Sequence, residues 1–309
     1  MIQSTSLKSS FSSWVVHGCM LLAATLVATS FIVGKIITPH LDPAVLTLIR
    51  FILASVGFAP YVVYRYGIRL PDWRELGRYT LISGTLVGFF WMMFLSLRTT
   101  NPLNTSVIFT TVPGISGCYS WFLLRERLGV HRLLALLLAM IGAMWVLFEG
   151  DIHKLLQLRF NEGDIYFFIG CLLMAFYTPL IKLLHQGEPM AVMTLWIMIT
   201  GCAWLLLFNL SKLPAISWNT IPVVVWMGIG YLALFTTIIT FFISQWATLQ
   251  IGPTRVMAYS YLYPPIIALI EWGLYQTHPD SRTLLGIMII LPAMIIVQKG
   301  NPVGVRSAD

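Results

Sequence analysis

Charge is what this sequence has least of. Only 10% of its 309 residues are Asp, Glu, Lys or Arg, whereas 58% are hydrophobic, and the mean hydropathy is +0.81. Soluble domains carry about 25% charged residues. A water-soluble fold of this length could not cover its surface with so few charges, so the outer surface must face lipid. Cysteine is also scarce. Cys19, Cys118, Cys171 and Cys202 fall inside apolar runs without metal-ligand spacing, and they define neither a disulfide pattern nor a redox compartment. No P-loop and no Asp-rich prenyltransferase motif is present, which leaves ATP-driven transport by this chain alone unsupported. Gly114-Ile115-Ser116-Gly117 has the GxSG form of an intramembrane serine protease, and a serine nucleophile needs a histidine within hydrogen-bond reach. All six histidines (His17, His40, His131, His153, His185 and His278) fall at the ends of apolar runs or between them, which argues against a membrane-embedded enzyme. No cofactor is expected.

What remains is a succession of apolar runs. They predict an all-α integral membrane protein with about ten transmembrane helices, at 14–37, 43–64, 76–97, 103–124, 133–148, 164–184, 190–209, 220–248, 254–275 and 283–298. Ten spans use about 200 residues, and the short loops between them leave no room for a soluble catalytic domain. The run from Trp14 to Ile37 is too long for a signal-peptide core and reads as a retained first span. The net charge of +7 could suggest nucleic acid, but the basic residues lie in loops, where topology explains them better. With the N-terminus inside, twelve Lys and Arg fall on inner segments and six on outer ones, Arg50 lying within span 2. That bias places both termini in the cytoplasm.

The charged stretch 149–163 divides the chain into 1–148 and 164–309, with five spans in each part. An odd number of spans per half forces the halves into opposite orientations, the plan of inverted-repeat transporters. A shift of 151 residues aligns 102–146 with 253–297 without a gap. Pro102 then meets Pro253, Pro113 meets Pro264, Trp121 meets Trp272 and Val146 meets Val297. The stretches NTSVIFTTVPGISGCYSWFLLRERLGVHRLLALLLAMIGAMWVL and IGPTRVMAYSYLYPPIIALIEWGLYQTHPDSRTLLGIMIILPAMIIV, together with Pro43 and Arg50-Phe51, resemble the EamA-type branch of the drug/metabolite transporter superfamily. The second half departs from the pattern, with Thr277 where a Glu corresponding to Glu126 is expected and Ala293 where a late glycine is expected. The resemblance implies two inverted five-helix repeats, and a central cavity lined by spans 1, 3, 4, 6, 8 and 9, with spans 5 and 10 peripheral. It also implies a secondary transporter or facilitator that exports amino acids or related amphipathic metabolites from a bacterial inner membrane. The non-transporting alternative is a polytopic receptor or assembly factor. The expected partners are a small-molecule substrate and the lipid bilayer. Proton coupling, and a monomer or a homodimer, stay open.

Charges inside spans are the first candidates for a site, because burying them costs several kcal/mol. Arg50 and Glu271 qualify, both in the outer half of the bilayer; they can pair, hold a carboxylate and an amine, or snorkel separately to the headgroups. Glu271 is the carboxylate that a proton-coupled mechanism has to consider first. Thr236, Thr240 and Ser244 form a polar stripe that suits a wet cavity or close helix packing. Pro113, Pro179, Pro264 and Pro265 each remove a backbone hydrogen bond, as a simple kink or as a substrate-binding helix break. Trp91, Tyr177, Tyr259 and Tyr263 are the aromatic candidates for stacking with substrate, Tyr259 and Tyr263 sharing a helical face.

Overall fold

The computed structural model describes residues 13–299 except 68, 97–98, 100–104, 106–107, 127–128, 149, 152, 154–155, 158–160, 211–212 and 276–280. Side chains at 13, 31, 35, 38, 43, 94, 215, 271, 274–275 and 281–283 are likewise outside the description. Among the described residues there are ten helical spans and no strand. They are α1 (Ser13–Ile37), α2 (Pro43–Tyr66), α3 (Trp73–Ser96), α4 (Val112–Leu124), α5 (Val130–Leu147), α6 (Glu162–Leu184) and α7 (Met190–Asn209). The α8 span runs Val223–Ile251 through a π-helical turn at Leu234–Ile239. The α9 span starts as Pro253–Ala258, tightens into a 3-10 turn at Tyr259–Leu262 and continues as Tyr263–Tyr275; α10 is Ser281–Gln298. Six of them (α1, α2, α5, α6, α7 and α8) are each long and apolar enough to cross a bilayer.

Local chemistry sets the starts of these helices. Asp42 accepts the Ala44 and Val45 amides at 2.9 and 3.4 Å, and Pro43 opens α2 where an amide would have no helical partner. Asn161 and Asp164 cap α6 reciprocally, at 3.2 and 2.7 Å.

The packing is symmetric under exchange of the two halves. Helix α3 packs on α6 and α7, while α8 packs on α1 and α2; α4 packs on α6, while α9 packs on α1. The pairs α2–α7, α4–α9 and α5–α10 each join a helix to its own counterpart. The α5–α10 crossing shows the register directly. Gly286, Ile290, Ala293, Met294 and Val297 are buried along α10, and so are the α5 residues 151 positions earlier, Ala135, Ala139, Gly142, Ala143 and Val146; Leu136 of α5 is buried in addition. A methyl group on Gly142 would stand 3.1 Å from the Gly286 carbonyl, and one on Gly286 would stand 3.0 Å from the Gly142 carbonyl. Each helix therefore presents a small residue where the other's backbone comes closest, the device that lets helices pack where lipid supplies no hydrophobic drive. Ala293, the expected glycine of the second half, is buried in this seam. The opposite faces carry exposed Leu133, Leu134, Leu137, Leu284, Leu285 and Met288.

Gly84 and Gly88 of α3 serve packing too: methyls there would meet Trp204 at 3.4 Å and Leu173 at 2.7 Å.

Candidate functional site

The charge in span 2 finds its partners in the irregular turn of α8. Arg50 lies two turns into α2, and its Nε donates to Thr237 Oγ1 at 2.5 Å while Nη2 donates to the Thr236 carbonyl at 2.8 Å. The guanidinium also stands 5.8 Å from the Phe90 ring of α3, within cation–π range. The π turn makes this docking possible, because the extra residue shifts the backbone hydrogen bonds and lets a side chain address a carbonyl that a regular helix would hold to itself. Threonine hydroxyls stabilise the turn. Thr236 and Thr237 both donate to the Leu232 carbonyl, at 3.0 and 2.9 Å, and Thr240 donates to the Thr236 carbonyl at 2.9 Å. Much of the predicted polar stripe is thus bonded to its own helix, and the Thr236 carbonyl accepts from both Thr240 and Arg50.

A second polar layer lies nearer the end of the bundle where α1 begins. Gln245 of α8 donates from Nε2 to the Tyr177 hydroxyl of α6 at 2.9 Å, and its Oε1 accepts from the Thr194 hydroxyl of α7 at 2.5 Å. His17 Nδ1 of α1 shares a 2.7 Å hydrogen bond with the Tyr259 hydroxyl of α9, and Ser116 of α4 lies 3.3 Å from Thr178 of α6. Along α8, on the other side of the Arg50 contacts from Gln245, Tyr231 shares a 2.7 Å hydrogen bond with Thr29 of α1.

The proline breaks follow the repeat. Pro113 sits at the start of α4 just after the turn Thr110–Thr111, and Pro264 and Pro265 follow the 3-10 turn of α9. Pro179 is buried within α6 beside Thr178. The 3-10 turn also separates two tyrosines expected on one helical face: Tyr259 reaches His17 on α1, whereas Tyr263 stacks on Phe109 with centroids 6.3 Å apart. Trp91 stands apart from both layers, 43% exposed and stacked on Phe208 of α7 at 4.9 Å. Glu271 belongs to α9, but its side chain lies outside the described residues.

Sequence reasoning passed over Gln245 and Thr194, and set His17 aside as a residue at the end of an apolar run. An uncharged amide in the middle of the apolar run ITFFISQWATL was a readable signal, since such a group needs buried partners. Glu126 was noted only as a family mark, yet it is 2% exposed.

Known proteins supply the comparison. The EamA-like transporter family is matched twice, over residues 15–148 and 161–298. The uncharacterized transporter YyaM of Bacillus subtilis is 22% identical over 265 residues, covering 85% of this chain and 87% of that protein. An uncharacterized transporter of Archaeoglobus fulgidus is 25% identical over 90% of this chain and 96% of its own length. A "Probable biotin transporter" of Pseudomonas aeruginosa is 25% identical over 91% of this chain and 97% of its own. A solved crystal structure superposes with a TM-score of 0.76 at 17% identity, covering 93% of this chain and 98% of the other, which is a likeness of fold. Two successive family matches, on halves that pack as counterparts, place this chain in the EamA-like transporter family, as a multi-pass membrane transporter.

Proposed function

We propose that this protein is a secondary transporter or facilitator that moves small amphipathic carboxylates, amino acids or related metabolites, outward by alternating access of its two repeats. The observation that carries this reading is Arg50. It is a cation held at a helix irregularity between the halves, with guanidinium N–H groups beyond the two committed to α8, and a planar guanidinium suits a carboxylate. The Gln245–Tyr177 layer supplies neutral polar contacts at greater depth. The name of the Pseudomonas relative points to biotin, which also carries a carboxylate, so biotin belongs in the same test. On this reading the protein sits in a bacterial inner membrane with both termini in the cytoplasm, Glu271 is the first candidate for a proton site, and the monomer or homodimer supports transport without a soluble partner.

The test is counterflow in proteoliposomes loaded with an amino-acid mixture or with biotin. Wild-type accumulation of particular carboxylates, lost in Arg50→Gln, supports the reading. Folded protein with no flux across a broad metabolite panel refutes it. Glu271→Gln that keeps counterflow but loses pH-driven uptake assigns the proton step to Glu271.

A further inference from the structure

Residues 252–262, from the elbow between α8 and α9 through the 3-10 turn, are all buried. Their packing leaves particular polar atoms unpaired. Five buried side-chain atoms lack a hydrogen-bond partner among the described residues, and four of them bear on this segment. Thr254 Oγ1 and Ser260 Oγ belong to it; Gln298 Oε1 is on the side chain whose Nε2 donates to the Arg255 carbonyl at 3.1 Å; and Glu126 Oε2 is on the carboxyl that touches the elbow. Interiors normally pair such atoms. Two orphans on the segment and two on side chains that contact it mark a place where the packed arrangement is held less firmly than its burial suggests.

Glu126 reaches the elbow because Arg125, in left-handed conformation at φ 52°, ends α4 and turns the chain back. Its Oε1 would lie 3.0 Å from a methyl group on Gly252, whose φ of +90° makes the turn. None of the described ion pairs includes Glu126. The charged groups facing it are Lys182 from α6, Arg255 from α9 and Arg132 from α5, with Arg125 on its own strand of chain exposed. Burial raises the Glu126 carboxyl above the ordinary glutamate value, and the three cations oppose that rise without cancelling it. The residue pair is not repeated in the sequence, since the positions 151 residues away are Thr277 for Glu126 and Asn101 for Gly252.

We propose that Glu126 is a proton-binding site that latches the buried segment 252–262: protonated, it seals this end of the bundle, and ionised, it releases it. The sign follows from linkage. The packed state binds the proton more tightly than an open, hydrated state, so packing is favoured at low pH and weakened as pH rises above the ordinary glutamate range. This goes beyond the transport reading and its readout needs no substrate.

The experiment is amide hydrogen exchange over 252–262 in purified protein in nanodiscs, comparing wild type with Glu126→Gln at matched pH between about 5 and about 8, the range above an ordinary glutamate. In the wild type, protection relative to Glu126→Gln should fall with rising pH by up to about tenfold per unit, the limit for one linked proton. The Gln variant, neutral throughout, should stay protected. Arg132→Gln removes an opposing cation and should shift the wild-type transition to higher pH, which keeps the test decisive if Glu126→Gln folds poorly. Identical profiles in wild type and Glu126→Gln would overturn the proposal and point to His17, which contacts Tyr259 in the same segment. An unshifted transition in Arg132→Gln would also count against it.

Discussion

Replacing Arg50 by methionine separates the two roles open to a buried cation. As a structural anchor, Arg50 donates two charge-assisted hydrogen bonds, at 2.5 and 2.8 Å, each of a kind worth about 1.5–3 kcal/mol. Two terms reduce what their loss costs. Neither partner is orphaned, since Thr237 keeps its bond to the Leu232 carbonyl and the Thr236 carbonyl keeps the Thr240 hydroxyl. The variant also no longer buries a charge, a penalty of several kcal/mol that the wild type must offset. The net destabilisation should therefore be about 1–3 kcal/mol, well short of the 3–5 kcal/mol seen when a buried ion pair loses one partner. As a substrate ligand, Arg50 contributes one more charge-assisted contact, so Arg50→Met should weaken carboxylate affinity by about 10- to 150-fold, equivalent to about 1.5–3 kcal/mol. Arg50→Lys keeps the charge but not the fork, and should fall between the two. Thermal melting in detergent reads the first effect and the concentration dependence of counterflow reads the second. Arg50→Met that melts slightly earlier yet transports with wild-type affinity would show the cation to be an anchor for α8 and would remove the proposed carboxylate site.

Three further substitutions test the scaffold. Gly286→Leu places a side chain where even a methyl would meet Val146 at 2.7 Å and the Gly142 carbonyl at 3.0 Å; about 1–3 kcal/mol of overpacking, or more, should lower the melting temperature, whereas unchanged melting would mean the α5–α10 seam is not tight. Gly252→Ala forces φ +90°, ψ 156° on a residue with a Cβ, a region essentially reserved for glycine, and should cost about 1–3 kcal/mol by the same measurement, with wild-type stability refuting the elbow geometry. Gln245→Leu takes the donor from the buried Tyr177 hydroxyl while Thr194 keeps the Met190 carbonyl, a loss of about 1–3 kcal/mol. Adding Tyr177→Phe should recover part of that loss, and strict additivity would show the two groups uncoupled.

How much of this could be read from the sequence differs by level. The scarcity of charge gives the membrane class, and the prolines spaced by 151 give the repeat, because these signals depend on residue type and order alone. Arg50 is legible for the same reason: a charge inside an apolar run needs a partner wherever the fold places it. The π turn is not legible, since LFTTII carries neither proline nor glycine, and the irregularity is tied to a partner 187 residues away in sequence. Trp91 illustrates a different limit. In a soluble protein an aromatic on an apolar stripe points to the core, but lipid is as apolar as the interior, so periodicity cannot separate an inward aromatic from an outward one. Tyr177 and Trp91 look alike in sequence, yet one is buried against Gln245 and the other is exposed beside Phe208.

The 151-residue register also distinguishes what the two halves share from what they do not. Preserved across it are the features a symmetric bundle requires at both ends: Pro102 with Pro253, Pro113 with Pro264, and the small residues Ala135, Gly142, Gly286 and Ala293 of the α5–α10 seam. Changed across it are polar groups: Glu126 corresponds to Thr277, Arg255 to Asn104 and Tyr259 to Ile108. Two repeats that exchange roles during alternating access need equivalent hinges and crossings. They do not need equivalent binding groups, because the substrate is bound once and the two membrane faces present different solutions. Polar residues without a counterpart are therefore the positions where transport chemistry should concentrate. Among these three pairs that criterion selects Glu126, Arg255 and Tyr259 from the sequence alone, and all three lie at the buried elbow segment where the unsatisfied polar atoms gather.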